Sequence, residues 1–188
     1  VQLARAAFEY GAPPLGAAWG HERLGRYLWA TGRLEESTAE FAQAVALLSE
    51  RFAAAPVYAG LGQAELMAGR YVASEGWCSK VLDIVPTPDD HPVAWGMAQR
   101  VLGIVRSNQG NPAEAVEMCR ASVAAAVSAQ GRALATVYLC VALGDAGDDQ
   151  AALDTALDAV AEGQVTGLDR GFGCYLDSLA AEALVRLG

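Results

Sequence analysis

The chain has little of what proteins use to grip nucleic acid or anionic lipid. Of thirteen basic residues only Lys80 is a lysine, and twenty-two acidic residues leave a net charge of −9. Affinity for phosphates comes from Lys and Arg neutralising them, so this balance argues against direct nucleic-acid binding. It argues equally against an anionic membrane surface. No apolar run approaches the roughly 18–20 residues needed to span a bilayer. The N-terminus has neither a starting Met nor a basic-then-apolar leader pattern, so Val1 reads as a cut inside a longer protein. With a single lysine, preceded by Ser79, there is no Gly-x-x-x-x-Gly-Lys-Ser/Thr phosphate loop. Ile and Asn are also scarce, a bias that fits a GC-rich bacterial genome.

Cysteines and histidines are few and badly spaced for chemistry. Cys78, Cys119, Cys140 and Cys174 lie 41, 21 and 34 residues apart, with no Cys-x-x-Cys pair. They are expected to be reduced, buried packing residues, which suits a cytoplasmic protein. His21 lies in an apolar helical segment and reads as a packing residue. His91 follows Asp89 and Asp90, but adjacent carboxylates do not converge readily with a neighbouring His in one coordination shell, and no His-Glu-x-x-His spacing supports a site. No Gly-x-Ser-x-Gly elbow accompanies the serines. The sequence therefore implies neither enzyme, metal nor cofactor.

What it has is alanine, glycine and a period. At 53% hydrophobic and 19% charged it folds, and abundant Ala with sparse β-branched and aromatic residues favours helix. Gly32, Gly69, Gly110, Gly147 and Gly188 follow one another at 37, 41, 37 and 41 residues. A fixed period of this length marks an array of helical hairpins. Seven residues before the first three stand Gly25, Gly62 and Gly103, each preceded by a leucine; Cys140 and Ala181 hold that slot in the last two repeats. Five, nine and twelve residues after each turn glycine come small or apolar residues, such as Ser37, Phe41 and Ala44 or Ala115, Cys119 and Ser122. That spacing is one face of a helix and predicts a helix–helix seam.

First helices are predicted near 16–31, 55–68, 92–109, 132–146 and 171–187, and second helices near 34–52, 71–85, 112–130 and 149–165. Residues 2–10 read as the second helix of an earlier repeat. Asn111-Pro112-Ala-Glu114 predicts a capped helix start, and 86–92 a proline-rich loop.

Leu24-Gly25, Gly32, Phe41 and Ala44, then Tyr58, Leu61-Gly62, Gly69 and Pro86, resemble the tetratricopeptide (TPR) pattern. The resemblance implies an all-α, right-handed superhelix (an α-solenoid) of about ten antiparallel helices in one domain, 1–188. Its parts would be 1–14, 15–54, 55–91, 92–131, 132–167 and a truncated 168–188. The period exceeds the TPR repeat of roughly 34 residues by one or two helical turns, which keeps the buried face in place. The phrases His21–Gly32, Ala59–Ala64, Gly167–Tyr175 and Ala180–Leu184 further resemble the repeat region of large LuxR-type transcriptional regulators. In those, TPR-like repeats lie between an AAA/STAND ATPase module and a helix-turn-helix.

The TPR resemblance implies a concave wall lined by the first helices. On it the alignment places Trp19, Glu22, Arg26, Trp29, Gln63, Met97, Arg100 and Tyr175, with Ser107, Val137, Val141 and Glu182 in equivalent slots. Trp and Arg are over-represented at interface hot spots, so a protein or peptide segment, or a small acidic effector, is the expected partner. Apolar faces at the truncated ends could also join two copies. The expected function is a non-catalytic partner- or effector-binding domain of a LuxR-type regulator. The alternative is a generic scaffold for protein complexes outside transcription.

Overall fold

A computed structural model describes residues 14–48, 51–166 and 169–188. Among them are nine α-helices and no strand: α1 (Pro14–Ala30), α2 (Leu34–Leu47), α3 (Arg51–Met67), α4 (Tyr71–Ile84), α5 (Pro92–Asn108), α6 (Pro112–Ala124), α7 (Ala129–Asp145), α8 (Asp149–Thr166) and α9 (Asp169–Leu187). They form two compact units, divided between Asp90 and His91. In the N-terminal unit α1 pairs with α2 and α3 with α4; in the C-terminal unit α5 pairs with α6 and α8 with both α7 and α9. The helix expected over 2–10 lies outside the described residues.

The turn glycines set the hairpins. Gly32, Gly69, Gly110 and Gly147 have φ of 74°, 73°, 81° and 77°, the left-handed region that an L side chain enters only at a cost. Each closes its helix in the same way. In the first turn Arg33 N–H donates to the Leu28 carbonyl at 2.9 Å and Gly32 N–H to that of Trp29 at 3.0 Å, the Schellman arrangement. Arg33 also starts the next helix, its carbonyl accepting from Ser37 N–H at 2.9 Å. One residue thus ends one helix and begins the next.

The slot seven residues before each turn glycine is where paired helices touch. A Cβ on Gly25 would lie 3.0 Å from the Phe41 ring, and one on Gly60 would lie 2.5 Å from the same ring's Cε1. Phe41 is therefore held between α1 and α3, in the core of the N-terminal unit with Ala44, Val57, Leu61 and Ala64. Ser37 and Ser74 satisfy their buried hydroxyls by donating to the Gly25 and Gly62 carbonyls at 2.8 and 2.7 Å. A Cβ on Gly103 would meet Cys119 Sγ at 2.7 Å and the Ala115 carbonyl at 3.1 Å. In the fourth hairpin the order of sizes reverses. The slot holds Cys140, the facing position holds Ala156, and both are buried in the same C-terminal core.

Helix ends depart from the sequence reading. Helix α2 stops at Leu47, not 52, because Leu48 is extended (φ −92°, ψ 115°). Helix α6 stops at Ala124, not 130, and α7 begins at Ala129, not 132, where Ser128 Oγ accepts from Gly131 N–H at 3.0 Å. That serine is a cap the sequence reading passed over. Asn111 makes no side-chain cap bond, and Glu114 reaches the Arg106 guanidinium at 3.4 Å instead of closing a capping box. Helix α3 begins at Arg51, so Pro56 lies inside it.

Candidate functional site

The residues expected on the first-helix wall are placed as follows. In the N-terminal unit, Glu22 is buried and ion-paired to Arg26, one turn along α1. Trp29 is half-buried against the Phe41 core, with its indole N–H unpaired. Gln63 is buried, whereas Trp19 is 38% exposed. In the C-terminal unit Met97 and Arg100 are buried and the Arg100 guanidinium lies 5.6 Å from the centre of the Tyr138 ring, a cation–π distance. Tyr175 is exposed. Among these eight, Glu22 and Arg26 are joined by an ion pair; the rest lie at separate points on their helices.

An open cleft does exist in the C-terminal unit. It runs between α7, the start of α8 and α9, and brings together Val141 and Glu182 from that wall. Val141, Leu179 and Ala183 supply apolar lining; Asp145, Asp149, Glu182 and Arg186 supply charge. Arg186 spans the cleft, donating to Glu182 Oε1 at 2.5 Å and Asp149 Oδ1 at 3.3 Å. Gly144 makes room for it, since a Cβ there would lie 2.7 Å from Arg186 Nη1. Asp145 accepts from the Ser107 hydroxyl of α5 at 2.5 Å. Three carboxylates around one guanidinium leave net negative charge over an apolar floor, a setting that favours an incoming cation with an aliphatic stem. Sequence reasoning reached Glu182 but missed Arg186 and Asp149. Their signal was an arginine two residues before one turn glycine and an acid two after another.

The two histidines have partners within the fold. His21 Nδ1 meets Glu40 Oε2 at 2.6 Å, across the α1–α2 seam. His91 caps α5, its Nδ1 accepting from Ala94 N–H at 3.3 Å, and Asp90 accepts from Thr87 at 3.1 Å. Among the described residues no three His, Cys, Asp or Glu side chains are grouped as a metal site, and no helix is long and apolar enough to cross a membrane.

Burial pushes the Cys119 thiol up to about 12 and that of Cys140 to about 11, so neither is a thiolate at neutral pH. Cys174, expected to be buried, is exposed. It stands about 200° around α9 from Leu176, off the stripe of Leu176, Ala180 and Ala183 that packs inward. A thiol reagent at pH 7 is expected to modify Cys174 alone in the folded chain and all four cysteines after denaturation. Rapid native modification of a second cysteine would contradict the packing. The raised thiols also set a sign. Their contribution to stability is complete below the ordinary thiol value of 9.0 and is lost as pH rises through 11 to 12, because the unfolded chain deprotonates first.

No protein-family model and no curated protein matches the chain. Solved structures do. A point variant of the nearly identical TPR-like repeats of a Podosopora anserina kinesin light chain-like protein superposes with a TM-score of 0.65 at 21% identity, over 89% of this chain and 85% of that one. The fold is a TPR-like helical repeat. A second structure of those P. anserina repeats gives a TM-score of 0.61 at 18% identity, covering 94% and 93%. YrrB, described as a TPR protein with an unusual peptide-binding site, gives 0.53 at 16% identity, covering 96% and 91%. At these identities the shared property is the fold, and the slot-and-turn pattern is its signature in this sequence.

Proposed function

We propose that the chain is a non-catalytic TPR-like scaffold that holds a protein or peptide segment, and that the α7–α9 cleft receives a basic side chain of that segment. The observation that carries the reading is Arg186 held across the cleft by Asp149 and Glu182 beside Asp145, over Val141 and Leu179. An incoming Lys or Arg competes for these carboxylates while its stem covers the apolar floor. The peptide-binding site described for YrrB, on a shared fold, supports a peptide as the ligand class. The occupied roles of His21 and His91 and the raised thiols support the absence of catalysis.

An array of unrelated 15-residue peptides probed with the chain tests this. Retained peptides should be enriched in Lys or Arg flanked by apolar residues. Glu182→Gln should weaken them several-fold, and higher salt should weaken them further. Enrichment in acidic peptides, or indifference to Glu182→Gln, would overturn the reading. The finer context is a LuxR-type regulator, in which this scaffold would couple partner sensing to ATPase and DNA-binding modules. It is supported by the phrases His21–Gly32 and Gly167–Tyr175. The coding sequence on either side decides it: an upstream phosphate-binding loop and a downstream helix-turn-helix would establish the regulator, and other modules would exclude it.

A further inference from the structure

Asp149 lies two residues after one turn glycine and Arg186 two before the next, and the pair joins α8 to α9. In the earlier hairpins the same two slots hold Leu34 with Met67, Tyr71 with Asn108 and Pro112 with Asp145, so only here do they carry opposite charges. Gly144 has a matching peculiarity. Three residues before the turn glycine, the earlier hairpins place Trp29, Leu66 and Ser107. The backbone does not demand glycine at 144, for its φ is not positive. A packed seam does not demand it either. An added Cβ would meet the Phe41 ring at Gly25, and Cys119 and the Ala115 carbonyl at Gly103. At Gly144 it would meet, among the described residues, only the Arg186 guanidinium, 2.7 Å from Nη1 and 3.8 Å from Cζ. The missing side chain makes room for one arginine head.

The three carboxylates of the cleft are all engaged. Arg186 Nη2 donates to Glu182 Oε1 at 2.5 Å and Nη1 to Asp149 Oδ1 at 3.3 Å, while Ser107 Oγ donates to Asp145 Oδ2 at 2.5 Å. An incoming cation therefore finds two of the acceptors taken by a cation of this chain and the third by a hydroxyl. Glu182 is exposed and stands one turn from Arg186 on the same helix. Surface pairs at that spacing are weak, so a ligand can break this one.

We infer, on the reading of the cleft as a receptor for a basic side chain, that Arg186 is an autoinhibitory occupant. It fills the place of the incoming residue and sets the threshold at which a partner binds. The ligand enters only while Arg186 is out, so its apparent affinity falls with the vacant fraction. Occupancy of about three-quarters lowers it about fourfold. Removing the Arg186 head therefore raises affinity. A residue that gripped the ligand, or merely braced α9, would act in the opposite sense or not at all.

Calorimetric titration of the full chain with a 15-residue array peptide carrying one lysine between two leucines tests this. Arg186→Gln should tighten binding at least threefold. Arg186→Lys keeps the charge on a head that cannot fork between two carboxylates, and should give a smaller gain. Arg120→Gln also removes one positive charge, from a surface pair with Glu117, and should change affinity far less, which separates occupancy from net charge. In a Glu182→Gln background the gain from Arg186→Gln should shrink, because the carboxylate that the two cations contest is gone. If Arg186→Gln lowers the helical circular dichroism, the sign of the Arg186→Lys change decides. Unchanged or weaker binding by a folded Arg186 variant, while Glu182→Gln still weakens the peptide, would overturn the autoinhibition and leave the cleft reading standing. An equal gain from Arg120→Gln would overturn it too. Indifference to both Glu182→Gln and Arg186→Gln would overturn the cleft reading itself.

Discussion

Phe41→Ala is expected to cost the N-terminal unit about 3–5 kcal/mol, the range for deleting a buried aromatic ring. The ring is 1% exposed and fills the space left by two glycines, Gly25 on α1 and Gly60 on α3, so neither neighbour has a side chain to collapse into the gap. It is also the residue by which the first hairpin grips the second, so the loss should spread to the α2–α3 contact. Denaturant unfolding followed by circular dichroism measures the cost. A loss below about 1 kcal/mol would mean that the ring does not hold the seam.

The second large effect is expected at Gly103. Alanine there gains up to about 1 kcal/mol of helix propensity. Its Cβ would nevertheless lie 2.7 Å from Cys119 Sγ and 3.1 Å from the Ala115 carbonyl, and the backbone oxygen cannot swing away. Overpacking of this kind costs about 1–3 kcal/mol, so net destabilisation is expected. Cys119→Ala alone should also destabilise, by opening a small cavity. The double variant Gly103→Ala/Cys119→Ala should recover the part of the loss that comes from Sγ and leave the part that comes from the Ala115 carbonyl, approaching the small facing residue that the fourth hairpin already uses, Cys140 opposite Ala156. Coupling of about 0.5–3 kcal/mol between the two changes is the expected signature of direct contact. Strictly additive losses would contradict the seam.

The same pair of positions shows what could be read without a structure. The turn glycines and the slots before them were legible because backbone geometry and close approach permit few residue types, and the left-handed φ of Gly32, Gly69, Gly110 and Gly147 follows from that. The facing residues were legible as a stripe, but their trade in size across the seam was not, because it is a relation between two helices. Helix ends were the weakest reading. Ser128 rather than Asn111 makes a side-chain cap, a choice fixed by local backbone angles.

The candidate site was half legible. The TPR resemblance, through the repeat alignment, implied one wall for Val141 and Glu182. It gave no sign that Arg186 would cross to Asp149, which belongs to the neighbouring hairpin. Nor could it show that Glu22, Gln63 and Arg100, polar residues in wall positions, would be buried. The stack of Tyr58 on Trp77 at 5.5 Å, with Lys80 4.0 Å above the indole, also went unread, for it is a relation between two helices that no spacing along the chain signals.

Amide and side-chain shift mapping of the chain, titrated with a lysine-bearing peptide recovered from the array, tests the central claim most directly. Perturbations centred on Val141, Gly144, Glu182 and the Arg186 guanidinium are predicted, with Arg186 released from Glu182 as the peptide amine takes its place. Saturable binding whose shifts leave that cleft untouched would contradict the account.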